Sequence, residues 1–127
     1  MQIDPNFAYA YNNLGLALYY QGKLDDAIAS YQKALQIEPN FAYAHFNLGY
    51  ALSNQGKLHQ AIASYRKALQ IDPNYAYAHF NLGLALSDQG KLDQAIAELE
   101  IAVRLEPSST LFRNNLEIYK NEEELSF

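Results

Sequence analysis

AYAHFNLG occupies residues 42–49 and recurs unchanged at 76–83, 34 residues further along the chain. The repetition extends well beyond the octapeptide. Three blocks align without gaps: AYAYNNLGLALYYQGKLDDAIASYQKALQIEPNF (8–41), AYAHFNLGYALSNQGKLHQAIASYRKALQIDPNY (42–75) and AYAHFNLGLALSDQGKLDQAIAELEIAVRLEPSS (76–109). A fixed internal period of this size marks a stacked array in which each unit buries its apolar face on its neighbours. MQIDPNF (1–7) aligns with the end of the second block and reads as the remnant of a preceding unit. Residues 110–127 align only with the first half of a block.

Punctuation divides each block into two helices. Gly22, Gly56 and Gly90 stand where a helix would close on a left-handed residue, and Pro39, Pro73 and Pro107 stop the second helix. Leu14, Gly15 and Leu18 share a face of the first helix. Ala27, Tyr31 and Ala34, with Ile28 and Leu35 alongside, form the apolar stripe of the second. Glycine inside a helix costs roughly 1 kcal/mol against alanine, so Gly15, Gly49 and Gly83 imply close approach, here to Ala27, Ala61 and Ala95. Asp25 and Asp93 are placed to cap their helices. His59 stands at the corresponding point of the middle block, whose second helix is therefore expected to fray first.

The recurring pattern (a large residue, N-L-G, Q-G, A-I, an aromatic, K-A-L and an acidic residue before proline) resembles the tetratricopeptide repeat from residue 1 to about 119. The resemblance implies an all-α, right-handed solenoid of antiparallel helix hairpins, with three repeats and a C-terminal capping helix. In this single domain, 1–7 is the remnant, 8–41, 42–75 and 76–109 are the repeats, and 110–127 is the capping helix with a frayed acidic tail. Glu117 occupies the column of Gly15, Gly49 and Gly83, where a carboxylate would block a following helix. Arg113, Glu117 and Lys120 then face water, as the end of a solenoid requires.

Composition narrows the function. The chain has 127 residues, a net charge of −5 and no cysteine, which excludes disulfides, thiolate metal sites and thiol catalysis. An acidic chain lacks the clustered Lys and Arg that bind nucleic acid, and no apolar run approaches a membrane span. The missing cysteines and missing targeting segment lean towards the cytoplasm. No phosphate loop, metalloprotease helix, nucleophile elbow or calcium loop is present, so neither an enzyme nor a cofactor is expected. His45 and His79, equivalent residues of adjacent repeats without further ligands, read as packing or capping groups.

Function therefore rests on a surface. The resemblance implies a concave groove, lined by the first helices, that holds an extended peptide or a partner's helix. Its columns are Tyr9, Tyr43 and Tyr77; Asn12, Phe46 and Phe80; Asn13, Asn47, Asn81 and Asn115; and Leu16, Tyr50 and Leu84. Tyr19, Tyr20, Ser53, Asn54, Ser87 and Asp88 close the wall. Only Asp88 among them is charged. The family's carboxylate clamp for acidic chaperone tails needs Lys and Arg in these columns, and only its Asn is matched. The unbroken Asn column is similar to the asparagine ladder of O-linked N-acetylglucosamine transferase superhelices, in which carboxamides pair with a ligand backbone whatever its side chains. The expected partner is thus a protein or peptide that needs little charge.

Two alternatives accompany this reading. With little ahead of the first block, apolar parts of Tyr11, Leu18 and Tyr19 would be exposed, and uncovered solenoid ends associate, making a homo-oligomer the second possibility. The third is a substrate-selecting arm of a larger enzyme.

Overall fold

The computed structural model describes residues 4–126. Met1–Ile3 of the expected remnant and Phe127 of the expected tail lie outside the described residues. Seven helices follow in order: α1 (Asn6–Tyr20), α2 (Leu24–Ile37), α3 (Ala42–Asn54), α4 (Leu58–Ile71), α5 (Ala76–Asp88), α6 (Leu92–Leu105) and α7 (Thr110–Leu125), with no strand among the described residues. Each helix packs mainly on its sequence neighbours, most extensively within the pairs α1–α2, α3–α4 and α5–α6. The result is a helical solenoid.

The turns inside the hairpins follow from their glycines. Gly22, Gly56 and Gly90 adopt φ of 81°, 78° and 82°, a left-handed conformation that costs a residue with a Cβ. In each turn the glycine N–H bonds back three residues and the following lysine N–H bonds back five, as in Gly22 to Tyr19 O (2.9 Å) and Lys23 to Leu18 O (2.9 Å). This pair of hydrogen bonds satisfies carbonyls that the helix end would leave open. Between hairpins the acidic residue before each proline is driven out of helical geometry, as at Glu38 (φ −132°, ψ 91°). The Asp72 carboxylate then accepts from Asn74 N–H at 3.1 Å.

The expected caps are absent. The N-cap positions of α2, α4 and α6 are Lys23, Lys57 and Lys91, none with a side-chain cap bond. Asp25 and Asp93 lie one step inside the first turn, where they can complement the helix dipole. Asp25 accepts instead from Gln55 Nε2 at 2.6 Å, and His59 Nδ1 accepts from Gln89 Nε2 at 3.2 Å. His59 has therefore lost no cap, and the reason for expecting α4 to fray first disappears.

The core repeats with the sequence. Ala27, Ala61 and Ala95 and Ala34, Ala68 and Ala102 are wholly buried, with Tyr31, Tyr65 and Leu99 between them. The close approach at the helical glycines is made chiefly to these larger side chains, beyond the alanines the sequence suggested. A Cβ on Gly49 would lie 2.8 Å from Tyr65 Cε1 and 3.2 Å from Ala61 O. His45 Nε2 and His79 Nε2 donate to the carbonyls of Pro39 (2.9 Å) and Pro73 (2.8 Å), tying first helices to the preceding loops. His79 Nδ1 also meets Glu98 Oε2 at 2.7 Å.

The two ends differ. Helix α1 starts two residues earlier than its counterparts, taking in Asn6 and Phe7. Helix α7 opens with Ser109 as a true N-cap, its hydroxyl accepting from Phe112 N–H at 3.2 Å, and buries Phe112 completely. It continues through Asn121–Leu125, part of the segment expected to form a tail. Arg113, Glu117 and Lys120 are exposed on it.

Candidate functional site

Helices α1, α3, α5 and α7 line one side of the stack and enclose an open groove of about 430 Å³. Nine of the expected residues line it: Leu16, Tyr43, Phe46, Asn47, Tyr50, Tyr77, Phe80, Asn81 and Leu84. Tyr19 and Tyr20 join them, as expected of wall residues, together with Tyr31 and Leu111. None of these residues is charged, so the groove offers aromatic and aliphatic surface with two carboxamides set into it.

Tyr31 and Leu111 were not expected there. Tyr31 belongs to the buried stripe of α2, and its large ring reaches from that core to the groove floor. Leu111 is Tyr77 carried forward by one further period, a step the sequence reading did not take.

The other expected residues lie elsewhere. Tyr9 is exposed beyond the groove, its ring 4.9 Å from that of Phe41. Asn13 is exposed but does not line the groove. Asn115 turns its Nδ2 back onto Leu111 O at 2.9 Å within α7. Asn12 is buried and accepts from Asn47 Nδ2 at 2.9 Å, so it serves the joint between α1 and α3. That bond spans 35 residues, as does the one from Asn54 Nδ2 to Tyr19 Oη at 2.5 Å. Neighbouring first helices thus meet one residue beyond the sequence period. Helical side chains lean towards the N-terminus, so a given spot is covered by a residue about one position further on. The column Asn13, Asn47, Asn81 and Asn115 consequently does not form one continuous row along the groove.

Ser53, Asn54, Ser87 and Asp88 do not line the groove either. One of them holds a tyrosine: Asn54 Nδ2 donates to the Tyr19 hydroxyl. The rings form a connected layer. Tyr19 lies 5.5 Å from Tyr50, Tyr50 6.4 Å from Phe46 and Phe46 5.0 Å from Tyr75, while Phe80 meets Phe112 at 4.7 Å. Tilted and stacked contacts of this kind add to the favourable burial of the rings. Burial pushes Tyr31 up to about 12 and raises Tyr65 and Tyr75 further, while Tyr19 is raised by burial and by the neighbouring Tyr50 hydroxyl. Around neutral pH these hydroxyls remain protonated and able to donate.

Models of the TPR repeat match residues 15–56 and 53–90, and a tetratricopeptide repeat model matches 76–109. The chain is a tetratricopeptide repeat protein. Among solved structures similar to it is the first tetratricopeptide domain of Spaghetti (RPAP3) bound to the HSP90 peptide SRMEEVD, with 24% identity over 98% of both chains and a TM-score of 0.93. MamA is similar too, with 26% identity over 96% of this chain and 71% of its own, and a TM-score of 0.89. No curated protein matches the sequence. Among the described residues, no helix of this tetratricopeptide protein is long and apolar enough to cross a membrane, and no group of three His, Cys, Asp or Glu could hold a metal ion.

Proposed function

We propose that the protein is a non-catalytic interaction scaffold whose groove binds an extended, largely uncharged segment of a partner protein. The observation that carries this reading is the groove lining: thirteen residues from five helices, eight of them aromatic and none charged. The RPAP3 domain, similar in fold, holds an acidic peptide, SRMEEVD. Here such a ligand would meet no Lys or Arg, so its carboxylates would lose water without gaining a counter-ion. An apolar segment instead gains from burial against the tyrosine rings. Asn81, only partly buried, supplies a donor and an acceptor for its backbone, one rung of the asparagine-ladder arrangement, while Asn47 is held in the α1–α3 joint by its bond to Asn12.

Affinity is expected in the micromolar range, because a flexible peptide loses entropy on ordering in a short groove. The test is a peptide-library screen followed by calorimetric titration of the selected peptides. Tyr50→Glu should weaken binding at least tenfold, while raising salt to ~1 M should change it little, since few charges are engaged. Selection of acidic peptides whose binding vanishes in high salt would overturn the uncharged-groove reading.

A further inference from the structure

The groove presents equivalent surfaces at a fixed interval. Tyr43, Tyr77 and Leu111 stand 34 residues apart in the sequence, all three line the groove, and their exposures are close, at 44%, 48% and 49%. Leu16, Tyr50 and Leu84 form a second row of the same period. The helices that carry these rows touch side by side. Asn47 of α3 donates to Asn12 of α1 at 2.9 Å, α3 packs on α5, and the Tyr77 ring of α5 lies 5.1 Å from that of Phe112 on α7. Helices in contact lie about 8 to 10 Å apart, so the groove offers one apolar step roughly every 9 Å.

That interval selects the conformation of the ligand. A β-strand returns a side chain to the same face every second residue, after about 6.6 Å, and so falls out of step with the rows. An α-helix turns every 5.4 Å or about that, and falls out of step too. A polyproline II helix has about three residues per turn and rises about 3.1 Å for each, returning to the same face after about 9 Å. Of the three, it alone keeps step. Its backbone makes no internal hydrogen bonds and proline has no N–H, so such a chain brings carbonyl acceptors and needs donors. The groove holds donors in the hydroxyls of Tyr43, Tyr50 and Tyr77 and the carboxamide of Asn81. Charge complementarity agrees: no lining residue is charged, and the negative faces of the rings suit the electropositive C–H groups of a pyrrolidine.

We infer that the groove takes a proline-rich segment in the polyproline II conformation, one turn to each repeat, with proline at the positions that face the rings. This rests on the reading of the groove as a site for an uncharged extended segment and names its occupant. The conformation is largely formed before binding, which cuts the entropy that a flexible peptide would lose in so short a groove.

The probe is a fluorescein-labelled, end-capped peptide of repeated Pro-Pro-Ser triplets, about 12 residues long so that it spans α1 to α7 at about 3.1 Å per residue. It is titrated against the whole chain by fluorescence anisotropy, and saturable binding is expected in the micromolar range. A peptide of the same composition with its serines at irregular intervals should bind at least threefold more weakly, and one with alanine at every proline at least tenfold. Tyr43→Phe and Tyr77→Phe, which keep the rings and remove the donors, should each weaken binding about threefold, with helix content unchanged by circular dichroism. Equal affinity for the irregular or the alanine peptide would overturn the inference. If the triplet peptide fails while a proline-free, uncharged library peptide binds and is lost in Tyr50→Glu, the polyproline assignment falls and the uncharged groove stands. If no uncharged peptide binds, both fall. Self-association of the chain that Tyr50→Glu abolishes would also overturn the inference, by making a second copy the occupant.

Discussion

Residues 13–18 and 81–86 have the same sequence, NLGLAL, so Leu14 and Leu82 share their helical context and differ only in what lies against them. Leu82 is 2% exposed and Leu14 47%. Leu→Ala removes three carbons, worth about 2.4 kcal/mol when fully buried at about 0.8 kcal/mol for each. At Leu82 a cavity closed by Leu52, Ile62 and Tyr65 adds to this, giving a loss of about 3 to 4 kcal/mol. At Leu14 roughly half the transfer term applies and no closed cavity forms, so the loss is about 1 kcal/mol. In a domain of this size the difference separates the two melting temperatures by about 10 °C. Urea unfolding followed by circular dichroism gives the free energies, with an unchanged m value showing that the same surface is exposed. Losses equal within about 0.5 kcal/mol would mean that the two leucines are equally packed and would refute this reasoning.

Alkaline unfolding is a second expectation. Tyr31, at about 12, and the still higher Tyr65 and Tyr75 hold their protons in the fold, whereas an unfolded tyrosine releases its proton near 10. Stability is thus fully present below pH 10 and falls as pH rises towards 12, and tyrosinate absorbance from these rings should appear only as helix content is lost. A complete tyrosinate signal with intact helices would refute this. On the acid side burial lowers His45, assisted by Lys67 and opposed by the bond to Pro39. The unfolded chain then takes up that proton first, so the His45 contribution is present above about pH 6.5 and declines below it. His45→Gln should flatten the decline between about pH 7 and pH 5, and an unchanged slope would refute the assignment. Gly49→Leu should be more damaging than Gly15→Leu, because α3 joins hairpins on both sides; equal losses in urea would contradict nearest-neighbour coupling.

The hairpins were legible because their signals are local. Each left-handed glycine and each acidic-proline step acts within a few residues, and the 34-residue period states which elements correspond. The lateral register was not legible. Stacked helices meet at an offset of 35, so Asn12 was assigned to the groove although it bonds Asn47 within the stack. Tyr31 was hidden for a related reason: periodicity identifies its buried stripe but does not say how far a ring of that size extends through it. The supposed cap at Asp25 depended on where the helix starts: the N-cap is Lys23, and two positions further in the Asp25 carboxylate accepts from Gln55. Leu14 stands in the same NLGLAL segment as the covered Leu82, so only the packing distinguishes them.

Packing confined almost entirely to consecutive helices has a consequence for growth. No strand pairing or ring closure fixes the number of hairpins, so a 34-residue block can be duplicated or removed without changing any interface of a kind not already present. Helices pack about 8 to 10 Å apart, so each added hairpin lengthens the groove by roughly that distance, or about three residues of extended ligand at about 3.3 Å each. The length of ligand that the molecule can read is therefore set by copy number, in steps of about three residues.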